Sequence, residues 1–335
     1  MPAKARLELT RSQILAFRRR VGALDERLPT GSRSLRRAAW AGLQDSMPRA
    51  ALLSIHARVE GADPSSWEHP SLVQVWGPRF SVYVVPERDH ALFTLGRYPD
   101  DERGRKVAEE MAERLHAVLA GRRITDREAA LTNRVRYATT TGTVLIRWEG
   151  ARAPLVWTVP RPDIDPFEAR LELARRYLHI YGPTTVASFA KWAGIGAREA
   201  QDAFERLNRS LTAVRTPIGD AWILSRDEAE LRADGEASVA RLLPSGDAYY
   251  LLQDADRELL VPDTGNRERL WTPRVWPGAV LVRGEIVGTW RRAQAKLTIE
   301  PWRGLSREER GAVEAEAESL PLPGIQGRIA VRWEA

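Results

Sequence analysis

The feature that most constrains this chain is an order of elements that recurs along it: amphipathic helical stretches, then two short extended runs folded around a glycine turn. The first instance opens with LTRSQILAFRRRVGAL (9–24). There Ile14, Phe17, Val21 and Leu24 share one helical face, and Thr10 or Ser12 can cap the start. After DERLPTGS the spacing predicts a second helix from Leu35 to Gln44, started by Ser32 or Ser34, with Leu35, Ala38, Ala39 and Leu43 inward. DSMP breaks it, and PRAALLSIHARVEG reads as a third helix with Pro48 in its first turn and Asp45 or Ser46 near its N-terminus. The period then changes, and LVQVWGPRFSVYVV (72–85) reads as a hairpin around Gly77-Pro78.

Three helices followed by a two-stranded hairpin is the order of a winged helix, the hairpin being the wing. A second instance runs from the helical ERGRKVAEEMAERLHAVLAG, through TDREAALTNRV capped by Thr125, to a hairpin at 143–159 turning at Glu149-Gly150. PRPDIDP has the composition of a linker. The third instance has a helix over 165–182, then TTVASFAKWAGI and AREAQDAFERLN split by Gly194-Ile195-Gly196, and a hairpin at 211–224. Two short helices on a tight glycine turn are the helix-turn-helix signature. From about 236 the texture is β-rich: ASVARLLP, YYLLQ, ELLVP, AVLVRG, EIVGTWR and AKLTIEPW, then a helix started at Ser306 with Glu309 three residues on, then GRIAVRWEA. The expectation is an α+β chain of three tandem winged-helix units (1–86, 87–162, 163–235) and a β-rich C-terminal domain (236–335).

Composition narrows the function. The chain has no cysteine, which excludes disulfides and thiolate chemistry. Its five histidines (His56, His69, His90, His116, His179) show no HxxxH or HExxH spacing, so no metal or other cofactor is expected. The N-terminal MPAKARLELTRSQ lacks the apolar core of a signal peptide, and no stretch approaches the ~18 apolar residues of a membrane span. A monomeric cytoplasmic protein without a membrane partner is expected. Residues 1–58 hold twelve Lys and Arg against four Asp and Glu, so a net +8 sits there and −2 in the remainder. The clusters Arg18-Arg19-Arg20 and Arg33, Arg36, Arg37 suit a polyanion, because guanidinium pairs with phosphate in a bidentate way. An arginine-rich solvated surface is the bland alternative. Of the twelve tryptophans, most are expected in the core or on sheet faces.

SLRRAAWAGLQDSMPRAALLSIHARV (34–59), GPTTVASFAKWAGI (182–195), RLLPSGDAYYLLQDADRELLVP (241–262) and AVLVRGEIVGTWRR (279–292) together resemble the winged-helix DNA-binding family of the AlkZ and YcaQ type. The resemblance runs in consistent order through most of the chain. It implies a cationic concave channel for double-stranded DNA, and hydrolysis of the N-glycosidic bond of bulky alkylated or crosslinked purines. The family's catalytic motif is Gln, an apolar residue, then Gln or Asp. Gln44 matches its first position, whereas Asp45 and Ser46 depart from the second and third.

The chemistry asked of Gln44, Asp45 and Ser46 is to orient a water beside a sugar that develops oxocarbenium character. A carboxylate can activate that water, and an amide can position it. An N7-alkylated purine is already cationic and leaves readily, so a weak catalytic group suffices. The same residues also suit a plain helix start, with Gln44 capping the helix before it. His56 and His90 are further candidates near such a site, or packed core residues. For DNA contact the candidates are Arg33, Arg36, Arg37, Arg49, Arg134 and Arg136, with Asn266, Arg267 and Arg269 at the tip of DTGNRERLW (263–271), read either as a DNA-probing hairpin or as a solvated loop. Lys191 and Arg198 flank the glycines of the third unit, but Glu199, Asp202 and Glu205 make its recognition helix acidic and point to a scaffold. A noncatalytic winged-helix regulator or damage-recognition factor remains the alternative to a glycosylase.

Overall fold

A computed structural model describes residues 7–47, 49–128, 135–150, 152–233, 237–325 and 329–334. The chain starts with β1 (Leu7–Glu8), α1 (Arg11–Val21), α2 (Ser32–Ala38), β2 (Leu43–Gln44) and α3 (Ala50–Arg58), followed by the hairpin β3 (Leu72–Trp76) and β4 (Val82–Pro86). Next come α4 (His90–Thr94), α5 (Glu102–Leu119), β5 (Ile124–Thr125), α6 (Val135–Ala138) and the hairpin β6 (Val144–Arg147) and β7 (Leu155–Thr158). The third stretch holds α7 (Pro166–Tyr181), α8 (Val186–Ala193), α9 (Ala197–Leu207), the hairpin β8 (Leu211–Thr216) and β9 (Gly219–Leu224), and α10 (Glu228–Arg232). Last are β10 (Ala240–Leu243), α11 (Asp256–Leu260), α12 (Thr264–Leu270), β11 (Gly278–Val282), β12 (Glu285–Ala293), β13 (Lys296–Pro301), α13 (Arg307–Glu318) and β14 (Ala330–Trp333). The fold is mixed α+β, with three sheets among the described residues.

Local chemistry starts several helices where the sequence says it should, but not α2, which begins at Ser32 behind Gly31 with no side-chain cap from Ser32 or Ser34. Thr10 and Gln13 form a reciprocal capping box on α1, and Ser306 and Glu309 form one on α13. Asp165 accepts the Phe167 and Glu168 N–H groups ahead of Pro166 on α7, and Thr185 caps α8. Gly194 ends α8 at φ +70°.

The hairpins do not stand alone. β2, β4, β3, β6, β7 and β5 form one six-stranded sheet, so the first two hairpins are fused, with Gln74 opposite Ile146 at the join. The third hairpin is extended by β1, which runs parallel to β8 with Leu7 opposite Val214. Pairing of this kind satisfies edge N–H and C=O groups that an isolated two-stranded hairpin leaves open. The C-terminal sheet runs in the order β10-β11-β12-β13-β14, covered by α13. A large apolar cluster crosses all of these parts, from Leu15 and Ala57 through Tyr83, Phe93, Tyr177 and Trp192 to Leu243, Tyr250 and Leu281. α3 packs between the first stretch and the C-terminal sheet, where Leu53 enters the cluster of Leu242, Val280 and Val313.

Four expectations need correcting. The second helix stops at Ala38, because Leu43 and Gln44 turn extended and pair with Val84 and Tyr83 of β4. YYLLQ is not a strand, and ELLVP largely falls in α11. DTGNRERLW is the helix α12, capped by Asp263 on the Asn266 N–H, and neither a hairpin nor a loop. Thr125 lies in β5, although it exchanges capping-box bonds with Glu128; the helix expected beyond it falls largely outside the described residues.

Candidate active site

The motif Gln44-Asp45-Ser46 lies where an extended segment turns into a helix, and strand alternation decides where each side chain goes. Leu43 and Asp45 point inward while Gln44 and Ser46 point outward, because successive side chains alternate across a strand. The Asp45 N–H still bonds the Val82 carbonyl (2.8 Å), which carries the pairing one residue past β2. Asp45 itself is fully buried, at 0% exposure. Its Oδ1 accepts the Ala51 N–H (3.0 Å) and its Oδ2 accepts Gln74 Nε2 (2.8 Å). Gln74 is held in that orientation because its Oε1 accepts the Trp148 N–H (2.6 Å). α3 has no side-chain cap at Arg49, which sits in the left-handed region at φ 69°. The Asp45 carboxylate takes over that task, in keeping with the helix-start reading of this residue. Burial pushes the Asp45 carboxyl up to about 7, against the pull of the Ala51 N–H, the Arg49 guanidinium and Gln74.

Gln44 is the outward group. Its Nε2 donates to Ser46 Oγ (3.1 Å), and its Oε1 accepts from Arg79 Nη2 (3.3 Å). Those are the amide's side-chain partners among the described residues, so Gln44 does not cap α2. Two glycines make room for the pair. Gly246, at φ +75°, passes so close that a Cβ there would lie 3.4 Å from the Gln44 amide. A Cβ on Gly194, at φ +70°, would lie 3.0 Å from the Arg79 backbone. Residues from the first stretch, the first hairpin turn, the α8 end and the C-terminal domain thus meet around one amide. Arg49 lies alongside, its guanidinium 3.9 Å from the Trp67 ring and 3.9 Å from Asp45 Oδ2.

The candidate DNA contacts separate into two kinds. Arg33 and Arg37 are exposed on α2 and Arg36 is half-buried there. Among the described residues neither the Arg33 nor the Arg36 guanidinium has an ion pair, and Arg37 only overlies Trp40 at 5.8 Å. Arg136 is exposed beside Trp76 (5.9 Å), while Arg134 lies outside the described residues. The α12 group is already engaged. Arg267 donates to the Val261 and Pro262 carbonyls and to Thr264, and Arg269 pairs with Glu300. In the third stretch Lys191 pairs with Asp254, and Glu199 accepts the Asp100 and Gly196 N–H groups, while Arg198 faces solvent. His56 bonds Ser319 at the far end of α3 and His90 bonds the Glu87 carbonyl; neither touches the motif.

Sequence reasoning missed Arg79, Gln74 and Gly246. Gln74 did carry a signal, as a lone amide in the apolar run LVQVW, where a buried polar group requires a partner. Arg79 and Gly246 carried none, since a turn residue does not announce what it faces. Among the described residues no three His, Asp or Glu side chains are placed to hold a metal ion, and no helix is long and apolar enough to cross a membrane.

The family model described as "DNA glycosylase AlkZ-like" matches residues 37–321. A Streptomyces sahachiroi protein named "Interstrand DNA cross-link repair glycosylase" is 28% identical over 179 residues, covering 52% of this chain and 47% of that protein. The match thus spans about half the length of that curated relative. The structure of Streptomyces sahachiroi DNA glycosylase AlkZ superposes with a TM-score of 0.78 at 19% identity, over 98% of this chain and 100% of that one, which establishes a shared fold.

Proposed function

The chain belongs to the AlkZ-like DNA glycosylase family, and from that premise we propose that it releases cationic N7-alkylated purines from double-stranded DNA, with Gln44 as the group that positions the attacking water. The observation that carries this is the Gln44 amide, outward-facing and braced at both ends by Ser46 and Arg79. One lone pair of its Oε1 stays free to accept from a water. A held dipole of this kind costs no reorganisation when charge develops on the sugar. The water oxygen bonds C1′ as the C1′–N9 bond breaks, the bonding electrons pass to N9 and neutralise the purine, and the water's proton leaves to solvent. No strong base is required, because the leaving group carries its own activation. Asp45 acts as a positioning residue, since its buried carboxylate reaches Ala51 and Gln74 rather than the surface.

In this reading the three helix–hairpin repeats over 1–86, 87–162 and 163–235 serve as winged helices beside the domain at 236–335. The arginines of α2 hold the phosphate backbone, giving binding that is sensitive to salt and largely blind to sequence. A second reading has its own support: among the motif's described residues the one carboxylate, Asp45, is fully buried, which suits a protein that recognises the lesion without cutting. One experiment decides between them. A duplex bearing a bulky N7-alkylguanine is incubated with the protein and with Gln44→Ala. Base release by the first and not by the second supports the proposal. Lesion binding without release favours the second reading.

A further inference from the structure

Four large apolar side chains are exposed among the described residues, Met47, Tyr137, Trp222 and Val275, and two of them connect to the candidate site through their neighbours. Met47 follows Ser46 directly. Tyr137 is 45% exposed, and its ring meets only Phe80 among the described aromatic rings, edge to face at 5.2 Å. Phe80 is the neighbour of Arg79, which holds Gln44. The Phe80 ring is also covered by the buried Arg97 guanidinium at 4.4 Å, itself fixed by the Ala193 carbonyl (2.7 Å).

The turn that presents these groups is strained. Arg79 and Phe80 are consecutive non-glycine residues in the left-handed region, at φ 54° and 55°. A side chain there costs roughly 1–2 kcal/mol per residue, and such backbones persist where the surroundings impose them. Here the Gly77 N–H to Ser81 carbonyl bond (2.9 Å), the Arg97 stack and the close pass of Gly194 impose it. The outcome is an edge-to-face aromatic pair with the Arg97 cation against Phe80 and an exposed Tyr137, next in the chain to the exposed Arg136.

We propose that Tyr137, backed by Phe80, is the stacking surface that receives the modified purine beside Gln44. An exposed ring with an exposed arginine next to it in the chain, here Arg136, is the combination that single bases and their phosphates select, the ring taking the planar base and the cation the backbone. A cationic alkylpurine suits it further, since a tyrosine face attracts positive charge. Flipping is the step that brings a base out of the helix to such a surface. This inference rests on the glycosylase reading above, and its test separates the two.

The measurement compares a duplex carrying one bulky N7-alkylguanine with the same duplex undamaged, at one fixed salt concentration. Wild type, Tyr137→Ala and Tyr137→Phe are each scored for the ratio of the two affinities and for single-turnover base release. Tyr137→Ala is expected to lower the affinity ratio and the release rate by roughly tenfold or more. Tyr137→Phe keeps both, and undamaged-duplex affinity stays unchanged in all three. An unchanged ratio in Tyr137→Ala overturns the proposal, as does an equal fall on both duplexes or a wild type without lesion preference. A wild type that prefers the lesion yet releases no base defeats the glycosylase reading alone; loss of that preference in Tyr137→Ala then still supports the stacking surface.

Discussion

The two ends of helix α3 hold equally polar residues in opposite states. At the N-terminal end, Gln44 and Ser46 face outward and keep hydrogen-bonding capacity in reserve. At the C-terminal end almost every group is consumed. Arg58 and Asp247 are buried and joined by two bonds of 2.7 Å, and Asp247 also accepts from Ser54 Oγ (2.6 Å) and the Tyr249 N–H (2.9 Å). Arg27 and Glu316 pair beside them, and His56 donates to Ser319, whose own hydroxyl proton goes to the Glu316 carbonyl. One helix therefore ties the C-terminal domain to the first stretch with one end and has an outward-facing amide beside the other. Saturated polar groups mark structure, and unsaturated outward ones mark chemistry.

The sharpest way to break this contrast is to damage the saturated end. Asp247→Ala leaves Arg58 buried and unpaired, and is expected to cost about 3–5 kcal/mol in urea unfolding. Below its melting range the variant should release base at the wild-type rate. A comparable loss of rate in fully folded Asp247→Ala would show that the two ends are not independent. The opposite lesion is Gln44→Ala, expected to slow base release about 100- to 1,000-fold, the range seen when one positioned hydrogen-bonding group is lost from a transition state. Its stability should change by less than about 1 kcal/mol, because the side chain is half-exposed and its bonds to Ser46 and Arg79 are not fully buried.

The same contrast explains how far the sequence could be read. Helix starts were legible because their chemistry is local: Thr10 with Gln13, Asp165 with Pro166 and Ser306 with Glu309 lie within one turn. Each hairpin was legible from its own alternation. Fusion of the first two hairpins through Gln74 and Ile146 was not, since residues 72 apart carry no mark of their pairing. At the site, family likeness pointed to Gln44, while Asp45 was open to two readings, a carboxylate beside the reacting sugar and a helix start. Its inward direction followed only once Leu43-Gln44 proved to be strand, which turns a helical face into alternation. Arg267 looked like a free cation in a loop until α12 formed and its own carbonyls claimed the guanidinium.

Acidity offers a subtler probe, because α3 has a shifted group near each end. Burial raises Asp45 to about 7, so its ionisation costs stability; the cost is absent below about pH 4 and complete above about 7. Burial lowers His56 to about 4, so its protonation costs stability; that cost is absent above about pH 6.5 and complete below about 4. Between these limits the two slopes oppose each other. His56→Gln should remove its share, at most about 3 kcal/mol, and leave stability falling as pH rises from 4 to 7. Asp45→Asn should leave the reverse slope, whatever constant offset follows from giving Gln74 the wrong partner. Denaturant midpoints across this range read the slopes directly, and parallel profiles for the two variants would refute the assignment.

The smallest effect tests the same distinction on the arginines. Among the described residues those of α2 have no ion pair, whereas Arg269 of α12 is paired with Glu300. If that difference marks contact, Arg36→Ala and Arg37→Ala should each flatten the slope of log affinity against log salt by about 0.9 on undamaged duplex. Arg269→Ala should leave that slope alone, because a cation already satisfied by a carboxylate releases no counterion from a phosphate. Measuring slopes rather than affinities at one salt matters here, since a mild fold disturbance lowers affinity without changing how many phosphates are contacted. Equal slopes for all three variants would place the DNA on a different face from α2.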